Sequence, residues 1–369
     1  MSTMKTRAAV LRKPGERWEL TEVDLDPPKA GEVLVRLMAA GLCHSDEHIR
    51  AGSTARLPMV AGHEGAGIVE AVGPGVTRVA EGDHVACSYI PVCGTCRYCS
   101  TGHQNLCDWG KNAAIGCLPD GTFRFHSGGE DLGGMCVLGT FSQYAVLSQW
   151  SCVKIEPDIA FELAALVSCG VTTGWASAVY AAGVRAGDTV VIFGIGGVGI
   201  NSVQGARYAG AKNVVAIDPV EFKLEWAKKL GATHVSTDPA AAKELVVELT
   251  RGQLADHVIL TVGDMNNEVV QQGVDMAGKA GSIVVTGVGS YDMNLPGNIL
   301  IGYHRRLQGA LFGGANPLYD IPRILALYRS GDIKLDELVT RRYRLDEVNE
   351  GYRDMLDGKN IRGVIIHEH

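Results

Sequence analysis

Short apolar runs alternate with amphipathic stretches in the middle of the chain, from about Thr189 onward. The runs "DTVVIFG", "NVVAID", "THVST", "HVILTVG" and "GSIVVTG" are typical of strands, mostly buried ones. Helices are predicted for "GGVGINSVQGARYAG", "EFKLEWAKKLG", "AAAKELVVELT" and "NEVVQQGVDMAGKAG". This alternation predicts repeated strand–helix–strand units, and therefore an α/β, doubly wound parallel sheet with helices on both faces.

The pattern before about residue 150 is different, because strands and turns predominate there. The segments "EVLVRLMAAGLC" and "EGDHVAC" predict strands, and "AGHEGAGIVEAVGPGV" surrounds a short apolar run with the glycines that bulges and tight turns require. From about Ala315 the chain has a helical pattern, "YDIPRILALYRSG", and it ends on the strand candidate "IRGVIIH". A strand-rich part therefore accompanies the parallel sheet.

The bulk composition limits the class of protein. The chain has 369 residues, of which 46% are apolar and 20% charged, as in ordinary globular proteins. A single core rarely grows beyond about 250–300 residues, so this length predicts two domains. The net charge of −7 and the lack of a basic tract argue against a nucleic-acid partner. With no signal-peptide pattern and no uninterrupted apolar stretch of about 18 residues, we expect a cytoplasmic protein without a membrane partner.

Four of the ten cysteines lie close together in "CGTCRYCSTGHQNLC". They are Cys93, Cys96, Cys99 and Cys107. A disulfide framework is disfavoured in a reducing cytosol. Short C-x2-C spacings let thiolates converge on one tetrahedral Zn²⁺, and four thiolates leave that ion no open position. The pattern predicts a structural zinc site, separate from the place where catalysis occurs.

A glycine-rich turn in "VVIFGIGGVGI" predicts a nucleotide site. Gly194, Gly196 and Gly199 form G-x-G-x-x-G directly after a predicted strand and at the start of a predicted helix, which is the context this motif needs. The glycines allow backbone to approach a pyrophosphate, and the helix start offers unpaired N–H groups. Asp218 ends the next strand, where its carboxylate can accept hydrogen bonds from the ribose hydroxyls of NAD and repel the 2′-phosphate of NADP.

A catalytic zinc site needs ligands outside the four-cysteine loop, because it keeps one position open for substrate. "GLCHSDEH" supplies Cys43 and "AGHEG" supplies His63, and both lie next to glycines. A third ligand is required, and spacing does not choose among the five remaining cysteines. These are Cys87, Cys117, Cys136, Cys152 and Cys169.

The motifs "GHEGAGIVEAVG", the four-cysteine loop and "GIGGVG", in this order, resemble the zinc-dependent medium-chain alcohol dehydrogenases over essentially the whole chain. The resemblance implies a GroES-like catalytic domain, 1–175 with 315–369, around a Rossmann NAD-binding domain, 176–314. It also implies that Cys169, in "SCGVTTGW", is the third ligand of a catalytic zinc. "GEDLGGMCVLGTFSQY", "GVTTGWASAV" and "IDPVEFK" are most similar to the actinobacterial nicotinoprotein branch, which uses N,N-dimethyl-4-nitrosoaniline (NDMA) as acceptor.

The resemblance also implies roles around the catalytic zinc. Ser45 and His48 match the two ends of a relay that carries the alcohol proton away through the cofactor ribose, and histidine titrates near the working pH range. Asp46 matches a carboxylate that orients the ligand His63. Glu64 matches a carboxylate that approaches zinc during ligand exchange.

Further positions match the family's contacts to the cofactor and substrate. The glycine loop includes Gly197 and Val198, and the contacts expected elsewhere are Thr173, Lys223 at the adenosine ribose, and Arg362 and His44 at the pyrophosphate. His44 stands where many members of the family have arginine. Tyr89 matches an aromatic wall of the alcohol pocket, and the loop 52–56 has no carboxylate, which argues against S-hydroxymethylglutathione as substrate.

The expected reaction is oxidation of a primary or small alcohol to an aldehyde by hydride transfer to NAD, with an external electron acceptor if NAD stays bound. A polyol dehydrogenase or an aldehyde dismutase on the same scaffold is the alternative. A zinc hydrolase is disfavoured by Asp218 and the intact glycine motif. We also expect a homo-oligomer, either a dimer or a tetramer, since exposed sheet edges pair readily between subunits.

Overall fold

The computed structural model describes residues 2–52, 55–289 and 291–369. Ser53 and Thr54, in the loop without carboxylates, lie outside the described residues. The chain divides into two compact units. The first comprises Met1–Cys169, Asn316–Arg329 and Leu335–His369, and the second comprises Gly170–Ala315 and Ser330–Lys334.

The first unit is rich in strands, as the sequence predicted for its N-terminal part. Its N-terminal elements are β1 (Met4–Leu11), β2 (Glu19–Leu25), β3 (Glu32–Gly41), α1 (His44–Arg50), β4 (Met59–Val60), β5 (Gly65–Val72), β6 (His84–Cys87), α2 (Arg97–Ser100), β7 (Phe125–Ser127), β8 (Glu130–Gly134), β9 (Tyr144–Ser148), β10 (Cys152–Lys154) and α3 (Phe161–Leu166).

The second unit alternates strands and helices. Its elements are α4 (Thr172–Ala176), β11 (Thr189–Phe193), α5 (Gly199–Tyr208), β12 (Asn213–Ile217), α6 (Glu221–Lys229), β13 (His234–Ser236), α7 (Pro239–Leu249), β14 (Ala255–Leu260), α8 (Asn267–Met276), β15 (Ala277–Val285), α9 (Asn298–Ile301) and β16 (Arg306–Gly309). The chain then completes the first unit with α10 (Pro317–Arg329), β17 (Val339–Tyr343), α11 (Val348–Leu356) and β18 (Arg362–Ile366).

Two sheets form the first unit. Strands β1, β2, β7, β8 and β4 close a barrel, and a second sheet has the order β10-β6-β5-β3-β18-β17, with β9 also paired to β3. The C-terminal strand β18 pairs antiparallel with β3, so both ends of the chain build this unit. Apolar side chains that alternate along β3, such as Val33, Val35 and Leu37, are fully buried in its core.

The second unit contains a six-stranded sheet with the order β13-β12-β11-β14-β15-β16, in which every pairing is parallel. In chain order this is 3-2-1-4-5-6, the doubly wound arrangement that binds dinucleotides where the strand order reverses. The side chains of β11 and β12 are buried throughout, because helices cover both faces. The predicted α/β fold class is confirmed.

One helix is shorter than the sequence pattern predicted. The segment "NEVVQQGVDMAGKAG" indicated a helix to its end, but α8 stops at Met276 and β15 starts at Ala277. A Cβ on Gly278 would overlap the carbonyl oxygen of Gln253, and Ala280 has φ +58°. The close approach of the neighbouring backbone and this left-handed residue exclude a continued helix.

The segment Phe161–Ala182 is helical, with π-turns at Val167–Val171 and Ser177–Ala182. By length and composition it would suffice to cross a membrane, but most of it is buried inside the protein, as in a core helix of a globular domain. The π-turn at 167–171 contains Cys169, and such turns often occur at functional sites.

Candidate metal centres and nucleotide loop

The four cysteines of the predicted structural site lie together. The Sγ atoms of Cys93, Cys96, Cys99 and Cys107 are all within 4.8 Å of one another. Backbone amides point at these sulfurs: the N–H of Cys96 donates to Cys93 Sγ at 3.3 Å, and the N–H of Cys93 donates to Cys107 Sγ at 3.3 Å. Partial burial opposes ionisation, but the amides of Cys96 and Thr95 lower the pKa of Cys93 to about 6. The amide of Asp108 lowers the pKa of Cys96 as well, whereas burial raises the pKa of Cys99 and of Cys107. The convergence of four sulfurs, two of them favoured as thiolates, fits a bound metal ion.

A second group of potential ligands is formed by Cys43, His63, Glu64 and Cys169, whose ligand atoms also lie within 4.8 Å of one another. Cys43 follows β3 and precedes α1, His63 and Glu64 lie between β4 and β5, and Cys169 is in the π-turn. His63 Nε2 is 3.5 Å from Cys169 Sγ. Of the five cysteines that spacing left open, the structure brings Cys169 into this group.

Asp46 contacts the imidazole of His63 on its Nδ1 side. Its Oδ2 lies 3.2 Å from His63 Nδ1, and its Oδ1 accepts a hydrogen bond from the backbone N–H of Gly62 at 3.0 Å. Both side chains are buried, with exposures of 0% for Asp46 and 2% for His63. Since Nδ1 faces the carboxylate, Nε2 is directed to the cysteines, as in carboxylate–histidine–metal triads.

The electrostatics of this group favour anionic sulfur at Cys43, whereas the hydrogen bond with Cys43 raises the pKa of Cys169. The hydrogen bond with Cys169 lowers the pKa of Cys43 well below its ordinary value, and His63 and Arg362 contribute in the same direction against the effect of burial. Burial by itself lowers the pKa of His63, but the charges of Asp46 and Cys43 raise it well above its usual range. Two thiols, an imidazole and a carboxylate that converge in a buried space fit a divalent zinc ion.

Glu64 pairs with Arg362, a contact that the sequence did not predict. Nη2 of Arg362 forms a buried ion pair with Glu64 Oε2 and also donates to the carbonyl oxygen of Leu42 at 3.0 Å. Despite its burial, the charge of Glu64 raises the pKa of Arg362. A Cβ on Gly41 would overlap the Glu64 carboxylate, so glycine is required there. We expected Arg362 at a pyrophosphate, and the structure places it against the metal-site carboxylate.

The short helix α1 carries four of the predicted residues: His44, Ser45, Asp46 and His48. Ser45 Oγ lies 3.7 Å from Cys43 Sγ, and Asp46 is the one fully buried member of the helix. The helix therefore places the Ser45 hydroxyl beside Cys43 and the Asp46 carboxylate against the Nδ1 side of His63.

Two further side chains lie beside the ligand group. The Tyr89 ring contacts the His63 imidazole edge-to-face, with 5.7 Å between the ring centroids. This position beside a potential metal ligand is consistent with the predicted aromatic wall of the alcohol pocket. Cys136, at φ +51°, is close enough for the charges of His63, Asp46 and Cys43 to act on it, and burial raises its pKa to about 11. The sequence had left Cys136 among the ligand candidates, and no local pattern indicated that it lies beside the site without belonging to the group.

The glycine loop connects β11 to α5. Gly194 has φ +83°, and a Cβ on Gly199 would overlap the carbonyl oxygen of Gly194 and lie 2.6 Å from Thr261 Oγ1. Apart from its chain neighbours, no atom of the described residues lies within 4 Å of a Cβ on Gly196, which leaves open space above the turn. Gly197 and Val198 complete the turn before the first residue of α5. The loop thus combines close packing at its base with room for a ligand at the helix start.

Asp218 follows β12 and is tied to the glycine loop. Its Oδ2 accepts a hydrogen bond from the Ile195 N–H at 2.7 Å, and its Oδ1 accepts one from the Val220 N–H at 2.9 Å. Lys223 Nζ is 3.9 Å from Asp218 Oδ2. Thr173, in α4, is 8% exposed, and its hydroxyl has no hydrogen bond within the part of the chain that the structure describes. These groups are arranged for a ribose and pyrophosphate on the loop.

Two family models match this chain. The model of the alcohol dehydrogenase GroES-like domain matches residues 29–157, and that of the zinc-binding dehydrogenase family matches residues 197–329. The chain therefore belongs to the zinc-dependent medium-chain alcohol dehydrogenases, and zinc and a nicotinamide dinucleotide are the cofactors of this class.

Individual relatives extend over the full chain. An NDMA-dependent alcohol dehydrogenase of Amycolatopsis methanolica is 57% identical over an alignment of 370 positions, which covers 99% of each chain. A zinc-binding-domain alcohol dehydrogenase of Burkholderia ambifaria has a similar structure, with a TM-score of 0.93, 32% identity and coverage of 100% of both chains. The benzyl alcohol dehydrogenase of Acinetobacter calcoaceticus has a TM-score of 0.90 at 32% identity, over 99% of this chain and 100% of its own.

Proposed function

We propose that this alcohol dehydrogenase oxidises a primary alcohol to an aldehyde and keeps its NAD bound, so that an external acceptor reoxidises the cofactor in place. The observation that carries the alcohol oxidation is the convergence of Cys43, His63 and Cys169 in a buried space. Full-length identity of 57% to an NDMA-dependent enzyme supports the resident cofactor.

Cys43, His63 and Cys169 would hold the catalytic zinc, and Cys93, Cys96, Cys99 and Cys107 the structural one. A zinc ion with an open position polarises an alcohol oxygen and lowers the pKa of its hydroxyl, and NAD accepts the hydride. Domains at 1–175 with 315–369, and at 176–314, are supported by compact units with similar bounds.

The residues of α1 would handle the proton and orient a ligand. Ser45, 3.7 Å from Cys43 Sγ, receives the alcohol proton, and His48, four residues from His44 on the same helix, releases it. Asp46 fixes the ring of His63 through Nδ1. Glu64, held by Arg362, supplies a carboxylate beside the ligand group.

The cofactor would lie on the loop that contains Gly194, Gly196, Gly197, Val198 and Gly199. Backbone N–H groups at the start of α5 would bind its pyrophosphate, and we assign His44 and Arg362 to the same group. Arg362 would reach it with the other nitrogens of its guanidinium, because Nη2 is held by Glu64 and by the Leu42 carbonyl oxygen. Asp218 accepts hydrogen bonds from the ribose hydroxyls, Lys223 lies beside it, and Thr173 offers a hydroxyl without a partner in the described chain.

The absorbance spectrum of the purified protein tests this proposal. A primary alcohol added without NAD should produce the band of the reduced nicotinamide, and NDMA should remove it. A band that appears only with free NAD contradicts the resident cofactor but leaves the alcohol dehydrogenase intact. Equal formation of alcohol and acid from an aldehyde, without acceptor, would identify a dismutase, and preferential turnover of polyols would identify a polyol dehydrogenase.

We further propose a cytoplasmic homo-oligomer. Reduced thiols in two ligand groups suit a reducing compartment. Strand β16 is at the edge of the six-stranded sheet, and Ile301 and Leu311 near it are 85% and 53% exposed, so the edge is suited to pairing with a second copy. Sedimentation at micromolar concentration should give a multiple of the chain mass, and a monomer would contradict this assembly.

A further inference from the structure

Tyr352 is a buried tyrosine of the C-terminal helix α11, in the same unit as the group formed by Cys43, His63, Glu64 and Cys169. Its side chain is 3% exposed and belongs to a core cluster with Leu42 and Ala61, the residues that precede Cys43 and Gly62. The rings of Trp18 and Phe141 lie 5.8 and 6.2 Å from its ring, between centroids. The ring is therefore fixed directly behind the segments that carry the metal ligands.

The helix that carries Tyr352 is also fixed, through Asn349. The backbone N–H of Trp18 donates to Asn349 Oδ1 at 3.1 Å, and Asn349 Nδ2 donates to the Trp18 carbonyl oxygen at 2.9 Å. Residues three apart share a helix face, so Asn349 and Tyr352 point to the same side of α11. This reciprocal pair of hydrogen bonds, between residues 331 positions apart, sets where the Tyr352 hydroxyl lies.

Four polar atoms in this region lack a well-formed hydrogen bond among the described residues: the Tyr352 hydroxyl, Trp18 Nε1, His63 Nδ1 and Asp46 Oδ2. Asp46 Oδ2 can only accept, and the other three can donate. A buried hydroxyl without a partner costs about 1–3 kcal/mol, so native proteins rarely keep one without a reason. Asp46 Oδ2 has two lone pairs, and only His63 Nδ1, at 3.2 Å, faces it at close range. Beside His63, Asp46 Oδ2 therefore has one further acceptor site for a donor.

The packing brings the two groups into one region, because Ala61 belongs to the core cluster of Tyr352 and the next residue, Gly62, donates its N–H to Asp46. Burial raises the pKa of Tyr352 well above its ordinary value, and the charge of Asp46 is the next largest cause. The hydroxyl thus stays protonated and can donate. Asp46 is fully buried, and its other oxygen is already occupied by the Gly62 N–H.

We propose that the Tyr352 hydroxyl donates a hydrogen bond to Asp46 Oδ2, and that Tyr352 is a positioning residue for the catalytic zinc site. This inference rests on the proposed role of His63 as a zinc ligand. With both oxygens of Asp46 held, by Gly62 and by Tyr352, the carboxylate keeps one orientation and the imidazole of His63 keeps Nε2 toward the metal. The C-terminal helix thereby supports a ligand almost three hundred positions earlier in the chain.

The test is the rate of zinc release from holoenzyme to a chromogenic chelator. Tyr352→Phe removes one oxygen and keeps the ring, so the core packing is preserved. Loss of a direct outer partner of a ligand costs about 10- to 100-fold in metal affinity, and for this more remote group we expect release from the catalytic site about 3- to 10-fold faster. In the cobalt(II)-substituted enzyme, the visible ligand-field bands should shift.

Tyr343→Phe is the matched control. Tyr343 is 6% exposed in the same core cluster, and its hydroxyl already has a partner, since it donates to Asp354 Oδ2 at 2.9 Å. This variant loses a buried hydrogen bond and should melt at a lower temperature, but its zinc release and cobalt spectrum should equal those of the wild type. Equal changes in both variants would show a general loosening of the core and overturn the proposal.

A double-mutant cycle with Asp46→Asn shows whether the effect passes through the carboxylate. The effect of Tyr352→Phe on zinc release should disappear in the Asp46→Asn background, since the two residues act in series. An additive effect would overturn the proposed hydrogen bond. If the wild-type protein holds no zinc beyond that of the Cys93–Cys107 lobe, the proposed function fails. If the wild-type protein holds two zinc ions, and the Tyr352→Phe variant releases both at the wild-type rate, only this inference fails.

Discussion

At the scale of single residues, the zinc ligands have the clearest consequences. Cys43 belongs to one ligand group and Cys96 to the other, and the two groups share no residue. We expect Cys43→Ala to hold one zinc instead of two and to lose alcohol oxidation by at least about 1000-fold, because the open metal site is lost. Metal analysis and steady-state turnover provide the measurement.

Two variants control this prediction. Cys96→Ala should also lose one zinc, but from the structural lobe. Cys117→Ala changes a buried cysteine outside both groups and should keep both ions. Turnover retained in Cys43→Ala, with two zinc ions still bound, would refute the assignment of the catalytic site.

At the same scale, Asp218 is the residue that we propose to govern the choice of dinucleotide. Asp218→Gly should shift the ratio of NAD to NADP affinity by about 10- to 100-fold toward NADP, because a carboxylate beside a 2′-phosphate costs several kcal/mol. The substitution also frees the N–H groups of Ile195 and Val220, so binding of NAD itself should weaken. Asp218→Asn removes the charge while retaining one acceptor, and titration of both variants with both dinucleotides separates the two effects. An unchanged ratio in both would contradict the ribose contact.

At the scale of elements, the turn from β11 to α5 contains two glycines that differ in the space around them. Gly199 packs against Gly194, where a Cβ would overlap backbone, whereas a Cβ on Gly196 meets open space. Gly199→Ala should therefore lower the melting temperature of the protein by forcing α5 away from β11. Gly196→Ala should leave the melting temperature of the cofactor-free protein unchanged but weaken NAD binding, because the methyl group enters the pyrophosphate space.

Differential scanning fluorimetry and NAD titration of both glycine variants check this prediction. Two equally destabilised proteins would show that Gly196 has a packing role that the structure does not indicate.

The boundary between α8 and β15 belongs to the same scale: apolar periodicity predicted a longer helix, but close backbone contacts at Gly278 ended it. Such contacts leave no periodic pattern in the sequence.

At the scale of the whole molecule, His367 connects the C-terminus to the catalytic domain and makes stability depend on pH. Its backbone N–H donates to the Met38 carbonyl oxygen at 3.0 Å, and Nε2 lies 3.0 Å from the Thr140 carbonyl oxygen. Burial lowers the pKa of His367 to about 4. The unfolded chain takes up a proton near pH ~6.5 and the folded one near 4, so the free energy of unfolding should fall by about 3 kcal/mol in that interval.

His367→Gln removes this titration while retaining a side-chain donor. The difference in unfolding free energy between wild type and variant, from urea titrations, should be constant above pH ~7 and should move in favour of the variant below pH ~6. Comparison at each pH cancels contributions from other groups, including the metal sites. A difference that does not change with pH would contradict the buried neutral histidine.

The sequence by itself determined what depends on neighbours along the chain. The parallel sheet followed from alternating strand and helix periods, and the four-cysteine lobe and glycine turn followed from spacings within about fifteen residues, since local geometry brings such groups together. Recognition of the family added the wider assignment of roles.

Only the tertiary structure decided which distant side chains meet. It brought Cys169 to Cys43 and His63, paired Arg362 with Glu64 across 298 positions, and packed Tyr352 into one core cluster with Leu42 and Ala61. Partners so far apart are selected by packing of β18 and α11 against the N-terminal strands, and packing depends on shape and burial that no local period encodes.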